Sequence, residues 1–204
     1  MAPHPDDETI GAFGLACHLR RRGAEVQVII VTDGAASHSS QRWPPRRLAA
    51  RRRAETRSAM RRAGIGAGAI RFLSFPDSGL EHLSPQAEKA LRQTLSRGAQ
   101  PDLVIRPDSS DYHADHKCVA RACDKAWPRA VRQLTYLVWP DASSRDFAPR
   151  TRYRLPGSIR QRKVAAIRSY RTQTGLVRDD PDGFCMDRPL IARLSGPNEY
   201  FGEA

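Results

Sequence analysis

The 204-residue chain has no run approaching the roughly 18 apolar residues that a membrane-spanning helix needs. It has no internal repeat and no low-complexity tract. Its N-terminus is polar and proline-rich, unlike a signal peptide, so a cytoplasmic location is expected. Cysteine is scarce, and Cys17, Cys118, Cys123 and Cys185 show no C-x-x-C spacing. That excludes the usual zinc knuckle and, without an export signal, points to thiols rather than disulfides. Acids are short as well. Only 22 Asp and Glu face 34 Lys and Arg, for a formal net charge of +12.

A surplus of that size can mark an anionic partner. It is local: Arg42 to Arg62 hold nine arginines against one acid, Glu55. Trp43 is the only aromatic in that stretch, with no interleaved aromatics for base stacking and no recognition motif. Nucleic acid is therefore not the expected partner, and an anionic small molecule suits the segment better. Otherwise the composition, 40% hydrophobic and 27% charged, is that of a soluble globular chain. Its length fits one domain over residues 1–204.

Strands and helices alternate. Apolar spacing predicts a helix over 8–22, and the β-branched run "EVQVIIVTDG" (25–34) a buried strand. "PPRRLAARRRAETRSAMRRAG" (44–64) reads as a long basic helix with prolines at its start. Strands are expected at 70–75, 102–107 and 134–139. Helices are expected at 84–98, with Ser84 as cap, from His113 or Ala114, and over 157–173. The tail after Thr174 reads as irregular. This order argues for an α/β fold with a mainly parallel sheet. Functional groups then gather at the carboxyl ends of strands, where "TDG", "PDSG" and "RPDSSDYHADH" all fall. "HPDDE" has the same character, yet only Met1, Ala2 and Pro3 precede it. Three residues are too few for a central strand, so the first strand is expected to be truncated.

Two stretches carry chemistry, "HPDD" at 4–7 and "HADH" at 113–116. A hydrolytic zinc site uses three His or carboxylate ligands and keeps one position open. His4, one of the two aspartates and one of the two histidines would make that set. The spare aspartate is then available as a base, and the spare histidine as an acid or oxyanion partner. Asp115, between the histidines, is placed to orient an imidazole. Taken singly, each motif also reads as a plain structural turn or helix start.

"APHPDDE", a Gly-rich helix and a downstream "HADH" together resemble the LmbE/PIG-L family of zinc-dependent N-acetylglucosamine-type deacetylases. "VTDG" (31–34), "RRAE" (52–55), "DSGL" (77–80), "YRTQTG" (170–175) and "NEYFGE" (198–203) look like that family's recurring segments. The resemblance implies a Rossmann-like three-layer sandwich. It implies that His4, Asp7 and His116 hold Zn2+, with Fe2+ as the other candidate metal, and that Asp6 is the general base. It further implies His113 at the developing oxyanion with Asp115 tuning it, and Arg52 and Asp77 on substrate. Against these last two stand a solvated basic face for Arg52 and a simple "DSG" turn for Asp77. Some relatives carry a tyrosine where this chain has Asp111, so no tyrosine is assigned to catalysis. The implied reaction removes an acetyl group from the nitrogen of an N-acetyl amino sugar or conjugate. The alternatives are a zinc amidohydrolase for other N-acyl compounds, or a basic nucleic-acid-binding protein with a vestigial metal site. Oligomeric state is not legible.

Overall fold

The computed structural model describes residues 1–127, 131–141, 144 and 147–204. In chain order the elements are α1 (Asp7–Arg21), β1 (Val28–Thr32), α2 (Pro45–Arg62), β2 (Ile70–Phe75), α3 (Pro85–Leu95) and β3 (Leu103–Pro107). There follow α4 (Ala114–Ala126), β4 (Arg132–Tyr136), β5 (Thr151–Arg154), α5 (Gly157–Ile167), α6 (Arg188–Leu194) and β6 (Asn198–Glu203). Local chemistry accounts for several boundaries. Ser84 accepts the Ala87 amide at 3.2 Å and caps α3, with Pro85 in the first turn. His113 occupies the capping position of α4, its Nδ1 accepting the Asp115 amide at 3.1 Å.

β1 and β2 pair in parallel, with Ile30 opposite Phe72. β3 and β4 pair in parallel, with Ile105 opposite Leu134. β6 then runs antiparallel both to β4 and to β5. The expectation of a mainly parallel sheet therefore gives way to a mixed one, because the tail that reads as irregular folds back as α6 and β6. Residues 1–3 lie between the two sheets. The Ala2 amide donates to Ile29 O, the Val31 amide to Ala2 O and the Thr32 amide to Pro3 O, at 2.8–2.9 Å. On the other side the Met1 amino group donates to Ile105 O at 2.7 Å. The stretch makes a single parallel bridge, Ala2 with Ile30, rather than a full strand, yet it joins β1 to β3.

All five residues of β1 are buried. Ile30 packs in a cluster with Phe13 of α1, Met60 of α2 and Ile167 of α5. Ile29 and Val31 pack in another with Leu91 of α3 and Val119 of α4. Both faces of the strand are covered, which explains why its sequence is a continuous apolar run. Among the described residues, no helix is long and apolar enough to cross a membrane.

Helix α1 is broken at Ala12 (φ −144°, ψ 18°), and the break is repaired from elsewhere in the chain. Lys163 Nζ donates to Ile10 O at 2.7 Å and to Glu199 Oε1 at 2.8 Å. Glu199 accepts the Gly14 and Leu15 amides at 2.8 and 3.0 Å. Backbone groups that the break would otherwise orphan are thus satisfied by one buried ion pair. Gly11 sits against the Tyr136 ring, which a Cβ would overlap. That close approach anchors the start of α1 under β4.

Candidate metal centre and active site

The loops after β1, β2 and β3 and the starts of α1 and α4 converge on one cavity of about 510 Å³. His4, Asp6 and Asp7 enter it from the chain before α1, and His113 from the start of α4. His116, fully buried, stands directly behind. Asp6 has φ 140° and ψ −28°, a conformation rare for a side-chain-bearing residue. Strain of that kind is held at sites where neighbours fix the backbone. Here Arg52 Nη2 donates to Pro5 O at 2.7 Å and to Asp6 Oδ2 at 3.1 Å, and Nη1 donates to Gly34 O at 2.8 Å.

Three atoms form a small triangle. His4 Nδ1 and His116 Nε2 each lie 3.1 Å from Asp7 Oδ2, and 3.3 Å from one another. Tetrahedral ligands on bonds of about 2.0–2.1 Å stand roughly 3.3 Å apart. Two ring nitrogens and a carboxylate oxygen at that spacing fit a zinc-type ion. The rings are braced from behind. His4 Nε2 lies 3.1 Å from Asp115 Oδ2 and 3.2 Å from Asp77 Oδ1. His116 Nδ1 lies 3.2 Å from Asp111 Oδ2, an ion pair rather than an aligned hydrogen bond. A carboxylate on the far nitrogen of each imidazole is the usual support of metal-binding histidines. His4, His113 and His116 also present ring nitrogens within 4.8 Å of one another, as do His4, Asp77 and Asp115 with their ligand atoms.

The electrostatics follow from this crowding of buried charge. Burial lowers the His4 pKa, but Asp115, Asp7 and Asp77 overcome it and hold the ring well above the ordinary histidine range. Burial also opposes charge on His116, yet Asp7 and Asp111 push its pKa to about 9. Asp7 is held far below the carboxylate range by the two histidines, despite its burial. Asp6 goes the other way. Burial pushes it up to about 8, with Asp7 and Glu8 adding to the rise and Arg52 and His4 opposing it. Burial, then the charges of His4 and His116, lowers His113.

The structure brings all eight residues singled out in the sequence to this region, though several touch unexpected partners. Asp115 does not reach the His113 ring with its carboxylate. That carboxylate faces His4 and accepts the Ser78 and Leu80 amides at 2.8 and 3.0 Å, so it ties the β2 loop to His4. Asp77 also faces His4, and its other oxygen accepts the Ala36 amide at 2.9 Å. Arg52 is only 2% exposed, which overturns the solvated-face reading. Its terminal nitrogens are committed to Asp6 and two backbone carbonyls. Asp111 escaped the sequence reading as a functional residue. It is fully buried and accepts the Val138, Trp139 and His113 amides while facing His116. Its only signal was its position two residues before "HADH". Trp139, Phe184 and Arg193, which also line the cavity, were missed as well, for they come from segments with no motif. Trp139 and Phe184 meet edge to face at 5.5 Å.

A family model described as PIG-L: GlcNAc-PI de-N-acetylase matches residues 1–127. A 1D-myo-inositol 2-acetamido-2-deoxy-alpha-D-glucopyranoside deacetylase of Mycobacterium sp. (strain KMS) is 30% identical over 166 residues, 67% of this chain and 51% of that protein. The chain spans about half the length of the curated relatives it matches. The fold matches that of N,N'-diacetylchitobiose deacetylase from Pyrococcus horikoshii at a TM-score of 0.78. The match has 23% identity and covers 100% of this chain and 81% of the other. It also matches GalB, the 4-carboxy-2-hydroxymuconate hydratase from Pseudomonas putida KT2440, at a TM-score of 0.68 and 17% identity, over 84% and 77% of the two chains. A hydratase on the same fold means that architecture does not fix the chemistry, and the site must.

Proposed function

The chain belongs to the PIG-L family, and from that premise we propose that it is a zinc-dependent N-deacetylase. Its proposed substrate is an N-acetyl amino sugar or a conjugate of one, and its products are acetate and the free amine. The observation that carries this reading is the triangle of His4 Nδ1, His116 Nε2 and Asp7 Oδ2, with edges of 3.1–3.3 Å, beside a second aspartate. His4, Asp7 and His116 would hold the metal. The opposite side of His4 is the less suitable one, because the Asp115 oxygen that faces His4 there already accepts the Ser78 amide. When bound, the metal supplies a Lewis acid for the acyl carbonyl and acidifies a water toward neutrality.

The remaining steps fall to side chains of the cavity. Burial raises the Asp6 pKa above the carboxylate range in the metal-free chain, and a bound cation would draw it back down, leaving a carboxylate able to take a proton as a general base. Arg52 fixes the direction of the Asp6 carboxylate through Oδ2 and leaves Oδ1 for the proton. His113 Nδ1 accepts the Asp115 amide, so in the neutral ring the proton sits on Nε2. Burial and the charges of His4 and His116 favour that neutral form. The Nε2–H then donates to the oxyanion as the carbonyl becomes tetrahedral. Collapse requires a proton on the departing nitrogen, and Asp6 returns the one it took. Asp115 and Asp111 position the imidazoles. Asp77 is proposed to divide its carboxylate between His4 and a substrate hydroxyl.

The test is metal content and turnover on the same preparation. After chelation and reconstitution, we expect about one zinc per chain and acetate release from at least one N-acetylated sugar. A chain that binds zinc but releases acetate from no N-acyl sugar would overturn the substrate class. A chain that binds none would overturn the metal centre itself.

A further inference from the structure

A second cavity, of about 800 Å³, lies outside the catalytic one, between α2 and α5. Its lining includes the small side chains Ala54 and Ser58 on α2 and Ala165 on α5, besides Gln161, Val164 and Ser169. Four arginines, Arg51, Arg62, Arg168 and Arg171, also line it. The one carboxylate in its lining, Glu55, is already engaged: it accepts from Arg51 Nε at 2.9 Å and from Thr172 Oγ1 at 2.6 Å. The groove is thus strongly cationic, with short side chains from both helices in its lining.

Other arginines of α2 are used internally. Arg52 supports Asp6. Arg53 donates to Ser74, Arg57 lies over the Phe72 ring at 5.0 Å and Arg47 over Trp43 at 4.2 Å. Arg168 and Arg171 differ. Both are exposed, and neither side chain has a hydrogen bond or ion pair among the described residues. Arg51 spends only its Nε, and Arg62 only its Nη1, on Ser58 of its own helix. Arg51 and Arg62 are three turns apart, roughly 16 Å along the helix axis. A single phosphate cannot meet both, but a chain of linked phosphates can. Arginine's planar fork suits phosphate oxygens. No aromatic side chain lines the groove, so nothing there stacks on a base.

We propose that this groove binds a run of linked phosphate groups through charge and backbone contacts alone, either free polyphosphate or the backbone of a single nucleic-acid strand. This accounts for the part of the +12 charge that the catalytic cavity does not use, and it is independent of the deacetylase reading. Arg171 faces the groove and Gln173 the catalytic cavity, so the short turn between them divides the two sites.

The experiment is a titration of the full chain with a labelled single-stranded oligothymidylate by fluorescence anisotropy, at roughly 50 and 200 mM salt. Inorganic tripolyphosphate serves as competitor. Arg168→Ala/Arg171→Ala is compared with Arg152→Ala/Arg154→Ala, which removes the same charge from exposed positions on β5. Binding by the wild type should weaken steeply with salt. The groove double variant should lose about tenfold at low salt, and its salt slope should fall by about 1.4, the share of two phosphate contacts on a single strand. The β5 variant should change by no more than about twofold, and the lysine pair Arg168→Lys/Arg171→Lys should recover part of the loss. Competition by tripolyphosphate at equal phosphate concentration would identify free polyphosphate as a sufficient ligand. Its failure would assign the groove to a nucleic-acid backbone. Equal losses in the two double variants would overturn the proposal in favour of net charge alone, and an absence of oligothymidylate binding at low salt would overturn it outright.

Discussion

Helix α1 carries buried charge in two places. At its start, Asp7 meets His4 and His116. One turn further on, at the Ala12 break, Lys163 meets Glu199. Both clusters are nearly inaccessible to solvent. They differ in complementarity. At the break, one cation faces one anion, and the remaining capacity of each goes to a carbonyl or to two amides. At the start, two ring nitrogens face each other across 3.3 Å and share one carboxylate oxygen. More carboxylates press in from behind the rings. The first cluster is complete as protein alone. The second has the spacing and charge that a cation would balance. Burial of charge is therefore not itself a sign of chemistry, because the repair of a broken helix needs it too. Complementarity is what separates the two.

The strongest way to break this comparison is to remove a ring from the second cluster. His116→Ala should reduce zinc from about one per chain to near none and acetate release to background, with the thermal melting curve of the metal-free chain still cooperative. Elemental analysis and circular dichroism check both halves. Zinc retained in this variant would mean that the triangle is not the metal centre. Asp6→Asn comes next. It removes the proposed base but none of the proposed ligands, so zinc should stay while turnover falls by about 10²–10⁴-fold. An Asp6→Asn protein with near-normal turnover would reverse the assignment of base and ligand between the adjacent aspartates.

The repair at Ala12 should respond in the other currency. Lys163→Met leaves Glu199 buried without its cation and should cost about 3–5 kcal/mol of stability, read by urea denaturation. Zinc per folded chain should not change. The double variant Lys163→Met/Glu199→Leu sharpens the contrast. Replacing a buried ion pair by apolar residues is often nearly neutral. Here it would leave Ile10 O and the Gly14 and Leu15 amides unpaired, and each unmet buried group costs about 1–3 kcal/mol. The double variant should therefore remain about as unstable as the single one. A double variant restored to wild-type stability would show that the pair serves itself and not the broken helix.

What the sequence shows of all this depends on how local the cause is. α3 is legible because Ser84, Pro85 and the apolar spacing act within a few residues of one another. β1 is legible because a strand covered on both faces is apolar throughout. "HPDD" and "HADH" are legible because the proposed ligands and base sit within two short turns. β5 and β6 are not, since "TRYR" and "NEYFGE" are made strands by pairing with each other and with β4. The roles of Lys163 and Glu199 lie 153 and 185 residues from their partners on α1, beyond any periodicity. Asp115 was readable as an imidazole support, but which imidazole it supports depends on how α4 docks against the chain before α1.

Asp111 tests the comparison at its boundary, for it has features of both clusters. Like Glu199, it is saturated by backbone amides, those of His113, Val138 and Trp139. Like Asp7, it also faces a site imidazole, at 3.2 Å from His116 Nδ1. Asp111→Asn keeps the shape and one carbonyl oxygen but removes the negative charge behind His116. Its amide nitrogen must also face at least one backbone N–H that the carboxylate used to accept. If the charge on the ring matters, zinc affinity should weaken by about 10–100-fold, while turnover at saturating zinc changes little. Competition with a chromophoric chelator gives the affinity directly. If Asp111 serves only to staple the loop after β4, the variant will lose stability with no change in zinc affinity, and the residue will belong with Lys163 and Glu199 rather than with the metal centre. The two outcomes separate because affinity is read per folded chain, and a loop staple acts on the fraction folded.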